Sequence, residues 1–114
     1  MQMPTEPTYH NNLGLSYFES GNFESALGSY EEAIRLEKEK FKTEKDRSHE
    51  NLSFYHKNLG LALYHQGQMD RALIEYQEAI VNNPNNADNY FNRGNVRLNE
   101  ENFLAAHEDF EMAI

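Results

Sequence analysis

The sequence predicts an all-α fold, an array of three helix-turn-helix repeats, and three observations carry that reading. A short pattern is written three times, at Asn12-Leu13-Gly14, Asn58-Leu59-Gly60 and Asn92-Arg93-Gly94. Each copy is followed by a second half with matched small and aromatic residues. Around both halves, apolar residues recur at three- and four-residue steps, the spacing of one helix face.

Gly60 and Gly94 lie 34 residues apart, and the register continues without gaps through Ala72 with Ala106, Tyr76 with Phe110, Ala79 with Ala113 and Ile80 with Ile114. The first copy aligns Gly21, Phe23, Ala26, Tyr30, Ala33 and Ile34 with Gly67, Met69, Ala72, Tyr76, Ala79 and Ile80. There the step between glycines is 46, so 12 extra residues fall at about 37–50. Small residues at the glycine and alanine positions let two helices approach closely, and Tyr30, Tyr76 and Phe110 are expected to fill space toward the neighbouring hairpin.

Six helices follow in order. The first is predicted at 7–19, ended by Ser20-Gly21, and the second from 23 to about 42. The third spans 48–65 and stops at Gly67; the fourth, 69–82, stops at Asn82-Asn83-Pro84-Asn85-Asn86, because proline cannot continue a helix and asparagine caps the next. The fifth is placed at 87–99 and the sixth at 103–114, separated by the polar run 99–102. Between Leu36 and Asn51 only Thr43, Asp46 and Ser48 are turn candidates, so the extra residues are expected to lengthen two helices by about six residues each, roughly 9 Å. A single domain results, with repeats at about 7–52, 53–86 and 87–114, the last incomplete.

The composition is that of a globular chain of 114 residues, 39% apolar and 25% charged. No run approaches the roughly 18 apolar residues that span a bilayer, and the first twelve residues lack the basic-then-apolar order of a leader. A cytoplasmic location is expected on these grounds. The absence of cysteine excludes disulfides and thiolate-bound zinc. A formal charge of −9 disfavours nucleic acid and anionic membranes, since like charges repel over about 8 Å at physiological salt. Six of the ten basic residues stand between Arg35 and Arg47 against four of the nineteen acids, leaving that segment at +2 and the rest at −11. Two readings compete for it, a solvated helix extension or a second docking surface.

The glycine, two alanines, aromatic and terminal proline of 53–86 resemble the tetratricopeptide repeat family, and the likeness covers residues 8–114. It implies an α-solenoid with a right-handed superhelical twist, the first hairpin lengthened by the insertion, and a concave groove lined by the first helix of each repeat. Departures are His10 and His56 at an aromatic position, Arg93 in place of leucine, and no proline after Leu36. The expected activity is protein binding, without catalysis.

On that lining face Asn12, Asn58 and Asn92 recur two residues before each glycine. An asparagine amide offers both donor and acceptor, so a ladder of three can pair with the backbone of an extended peptide. The competing reading is that asparagine packs the next helix there. Leu15, Phe18, Leu61, Tyr64, Phe91 and Leu98, with Asn95, complete the expected groove, again against the alternative that aromatic stripes are core. An apolar or basic peptide or amphipathic helix is the expected ligand. Members of the family that hold the acidic tails of heat-shock chaperones clamp two carboxylates with lysine, asparagine and arginine. Only Asn58 matches, and Asn11, Asp88 and Asn92 stand where basic residues are wanted.

No catalytic constellation emerges. His10, His49, His56, His65 and His107 are not spaced as a metal site, and His107 with Glu111 makes only an i, i+4 pair. Glu31-Glu32 and Glu100-Glu101 point to different helix faces, so neither works as an acid and base pair. No cofactor is expected. Three functional readings remain: a peptide-binding module, an assembly segment of a larger scaffold acting through its ends and projecting hairpin, or a regulatory subunit of an enzyme complex. Ile114 stops four residues short of the repeat's proline position, leaving Phe103, Ala106 and Phe110 without a covering neighbour, so self-association through the last helix is also expected.

Overall fold

The computed structural model describes residues 6–44 and 47–114, all of whose regular elements are helices. Lys45 and Asp46 of the charged segment, and residues 1–5, lie outside the described residues. The six helices are α1 Pro7–Glu19, α2 Phe23–Thr43, α3 Glu50–His65, α4 Met69–Asn82, α5 Ala87–Asn99 and α6 Phe103–Met112.

Each start and stop has a local cause. Pro7 opens α1 where its missing N–H costs nothing. The side chains of Asn22, Asn86 and Asn102 accept from the backbone N–H groups of Ser25, Asp88 and Ala105, capping α2, α5 and α6. Within the hairpins the chain turns through left-handed backbone at Gly21 (φ 81°) and Gly67 (φ 80°), and at Glu101 (φ 62°) in the third. Tyr90 donates its hydroxyl to the Pro84 carbonyl at 2.8 Å, fixing the α4 to α5 turn.

Consecutive helices pack as antiparallel neighbours, α1 on α2, α3 on α4 and α5 on α6, with α2 against α3 and α4 against α5 joining the hairpins. The fold is therefore the predicted solenoid of helix-turn-helix units. Each aromatic ring seats on the glycine of its own hairpin, and Tyr76 also reaches the cleft shared with the neighbouring hairpin. Tyr30 lies on Gly14, Tyr76 on Gly60 and Phe110 on Gly94, each so close that a Cβ on the glycine would fall 2.6 or 2.7 Å from the ring. Glycine is required at these positions because the ring of its own hairpin occupies the space of a side chain.

The core runs along the array through Ala26, Tyr30, Ala33, Leu59, Leu63, Ala72, Tyr76 and Val96. The extra length sits mainly in α2, with 21 residues against 14 in α4, whereas α3 has 16 against 13 in α5. The charged segment is not simply solvated. Glu37 is fully buried, and Arg47 reaches back across the α2 to α3 connection to hold it, Nη2 to Oε1 at 3.0 Å. Phe41 stacks on His49 at 4.4 Å beside that pair, and His49 Nδ1 meets Asn82 Oδ1 at 3.0 Å.

Candidate functional site

The odd helices make one continuous face. α1 touches α3 and α3 touches α5, whereas α2, α4 and α6 do not meet one another, so the array curves toward α1, α3 and α5. A groove along that inner face is the candidate site, and its residues divide into three sets.

The first set is the asparagine series, whose three members sit in three different environments. Asn12 is exposed. Asn58 is buried, and its Nδ2 donates to Asn11 Oδ1 at 2.8 Å across the α1 to α3 gap. One of its two amide N–H groups thus joins two hairpins, the packing role named as the alternative above. Asn92 is half-buried, and among the described residues its amide has no partner. The same holds for Asn95 one turn further on.

The second set is apolar. Leu15, Phe91 and Leu98 are exposed at 45%, 51% and 47%, while Phe18, Leu61 and Tyr64 are half-buried against the core. Phe18 meets Phe23 and His65 edge-on, and His65 stacks on Phe23 at 5.5 Å, filling the gap between α1 and α3. Between α3 and α5 a cleft of about 260 Å³ stays open, walled by Leu61, Tyr64 and His65 on one side and Phe91, Asn92 and Asn95 on the other. The buried Tyr76 closes its inner end. Burial drives the Tyr76 phenol well above its ordinary pKa, with Tyr64 adding to the shift, so it stays neutral and supplies a ring and a hydroxyl, not a proton. Tyr30, its counterpart, is pushed up to about 12, first by burial and then by Glu19.

The third set is charged, and its members are engaged with one another or with a ring. Arg93 Nη2 and Arg97 Nη1 donate to Asp109 at 2.7 and 3.0 Å, and Asp109 is only 1% exposed. Lys57 lies over the Phe54 ring at 4.5 Å. His56, at the aromatic position of the repeat, is buried with Nδ1 2.7 Å from Glu75. His107 pairs with Glu111 on the exposed side of α6. Among the described residues no three metal-binding side chains stand together.

Two family models described as tetratricopeptide repeat match the sequence, over residues 11–87 and 75–108. The chain belongs to the tetratricopeptide repeat family. Solved structures superpose on it closely. The second tetratricopeptide repeat domain of Spaghetti (RPAP3), determined with the HSP90 peptide SRMEEVD bound, matches at TM-score 0.78 and 19% identity over 94% of this chain and 83% of its own. The Arabidopsis OM64 domain matches at 0.78 and 20%, over 94% and 78%. MamA matches at 0.81 and 20%, over 96% of this chain, which spans 57% of MamA. No curated protein matches the sequence.

Sequence reasoning missed Asn11 and His65 as groove residues and the Arg93, Arg97 and Asp109 cluster. A signal for the cluster was present: Arg93 and Arg97 align with Leu59 and Leu63, and two cations at buried apolar positions demand an anion nearby.

Proposed function

We propose that the chain is a non-enzymatic protein-interaction module whose inner face holds an extended segment of a partner protein. The observation that carries this reading is the set of exposed apolar side chains and free amides that α1 and α5 place on either side of α3: Leu15, Asn12, Phe91, Asn92, Asn95 and Leu98. Soluble proteins rarely leave such a strip uncovered without a partner for it. The Spaghetti domain, of the same fold, was solved with a peptide bound, which supports peptide binding as a use of this architecture.

The partner segment is apolar or basic, not acidic. An acidic peptide such as SRMEEVD needs cations in the groove, and here Arg93 and Arg97 are held by Asp109 while Lys57 rests on Phe54. The net charge of −9 acts in the same direction at longer range. The recognising unit is the domain of three repeats, 7–52, 53–86 and 87–114. We place its work in the cytoplasm, which cell fractionation tests; among the described residues no helix is long and apolar enough to cross a membrane.

The test is selection of peptides from a displayed random library, followed by binding to variants. Leu15→Glu and Asn92→Ala are expected to weaken the selected peptides about tenfold or more while leaving the melting temperature in place, as both side chains have solvent on one side. Unchanged binding in both variants overturns the groove.

A second reading has its own observation. On α6, Phe103, Leu104 and Met112 are 63%, 82% and 59% exposed, so assembly with a second copy through that face competes with groove binding. Light scattering across a concentration series separates the two: a monomer throughout removes self-association.

A further inference from the structure

We propose that the cleft between α3 and α5 is an anchor pocket for one aromatic side chain, phenylalanine, tyrosine or tryptophan, of the partner segment. The inference rests on the groove reading and adds what the groove selects.

Four features of the cleft point to that occupant. Rings form its wall and inner end, Tyr64, Phe91 and Tyr76, and aromatic pairs favour offset or edge-on contact with a further ring. No carboxylate, lysine or arginine lines it. A lysine or arginine entering it would lose water with no carboxylate to meet it, and an acidic side chain would meet no cation, so the complementary group is neutral. At about 260 Å³ it lies below the roughly 300–1,000 Å³ of sites built for whole small molecules, and suits a single large side chain. The amides of Asn92 and Asn95, without partners among the described residues, stand beside the rings, where they can bond the backbone on either side of an inserted ring or a tyrosine hydroxyl.

The equivalent gap between α1 and α3 supplies the contrast. Its register positions hold Lys57 where the open cleft has Phe91, and Leu61 where the open cleft has Asn95. Asn58 there is bonded to Asn11, and His65 lies against Phe18 and Phe23. The same backbone thus closes one gap with its own aromatic contacts and leaves the other without a ring to fill it.

The experiment titrates the ¹⁵N-labelled chain with blocked amino acids: N-acetyl-phenylalaninamide and N-acetyl-tryptophanamide against the leucine and lysine analogues. The aromatic probes are expected to shift the signals of Leu61, Tyr64, Phe91 and the Asn95 side-chain amide. They should bind about two- to tenfold more tightly than the leucine probe, the ratio that ring pairing supports. The lysine probe should leave those signals in place. Phe91→Lys combined with Asn95→Leu, which installs the residues of the closed gap, is expected to abolish the aromatic shifts; Phe91→Lys alone, at a side chain half in solvent, repeats the test if the double variant does not fold.

Equal response to lysine, or aromatic shifts confined to α6, overturns the pocket. Groove and pocket also fail separately. If library-selected peptides bind the inner face but keep their affinity when their aromatic residue is changed to alanine, the groove stands and the pocket falls. If no peptide engages the inner face at all, both fall.

Discussion

Between α1 and α3, Asn58 reaches Asn11, and His65 stacks on Phe23 beneath Phe18. Between α3 and α5 the same repeat positions hold Asn92 and Asn99, neither of which crosses to the neighbouring hairpin, and a cleft remains. The hairpin interiors differ in the same direction. The second is apolar, with Leu59 and Leu63 buried, whereas the third holds two arginines on one aspartate. A repeat period therefore dictates where helices lie, while the residues at each register position decide whether a joint is sealed or left for a ligand.

The largest test of this contrast is the glycine under each ring. Gly60→Val is expected to cost about 3 kcal/mol in urea denaturation, because Tyr76 is 1% exposed and has nowhere to move. Gly94→Val should cost nearer 1 kcal/mol, since Phe110 is only half-buried and can swing outward. Equal costs would mean that the third hairpin is as tightly closed as the second.

Next in size is the charged interior. Asp109→Ala leaves Arg93 and Arg97 without their anion, and about 2 kcal/mol of stability should be lost; both arginine side chains are about a fifth exposed and recover part of their solvation. Replacing all three by leucine, the residue that Arg93 and Arg97 align with in the second hairpin, is expected to be neutral or stabilising, because a well-packed apolar set escapes the desolvation of three charges. A loss as large as that of Asp109→Ala would show that the ion pairs specify the third hairpin.

Asn58→Ala should cost about 1 kcal/mol through the lost amide bond to Asn11. In the titration with aromatic probes it is expected to bring new shifts in α1, as the sealed gap loosens. Stability without such shifts would assign the seal to the Phe18, Phe23 and His65 cluster alone.

The smallest difference is expected in alkaline titration. Tyr30 is raised to about 12 and Tyr76 is pushed up further, both chiefly by burial of the neutral phenol. A raised pKa in the folded state means that the stability it contributes is complete below the ordinary value near 10 and is lost as pH rises toward the folded value. Absorbance at the phenolate band should show Tyr30 and Tyr76 ionising well above pH 10, with unfolding accompanying them. Ionisation of these two rings near pH 10 would contradict the close seating of Tyr30 on Gly14 and Tyr76 on Gly60.

The helices were readable from the chain because their signals are local: glycine at the turns, asparagine at the caps, proline between α4 and α5. The alignment also exposed the odd-helix face and nearly all of the candidate groove. What escaped depends on partners far apart in sequence. Asn58 and Asn11 meet across 47 residues, and no periodicity states which end of an amide is already bonded. Glu37 looked like one acid in a charged helix, and only the path of the connection brings Arg47 back to bury it. The close seating of each tyrosine ring on the glycine of its own hairpin was not legible, because helical spacing gives the direction of a side chain around its own axis but not the distance to the facing glycine.

Asn89 gives the open joint a mechanical character. Its Nδ2 donates to Ser53 Oγ at 3.1 Å and to the Ala79 carbonyl at 3.3 Å, holding the first turn of α5 to α3 and α4, two turns before the unbonded Asn95. Beyond Asn95, Val96 is fully buried in the shared core, so α5 is held on both sides of the cleft. Such a cleft receives a side chain between two fixed points, so spin labels at the far ends of α2 and α6 are expected to keep their separation when a peptide binds.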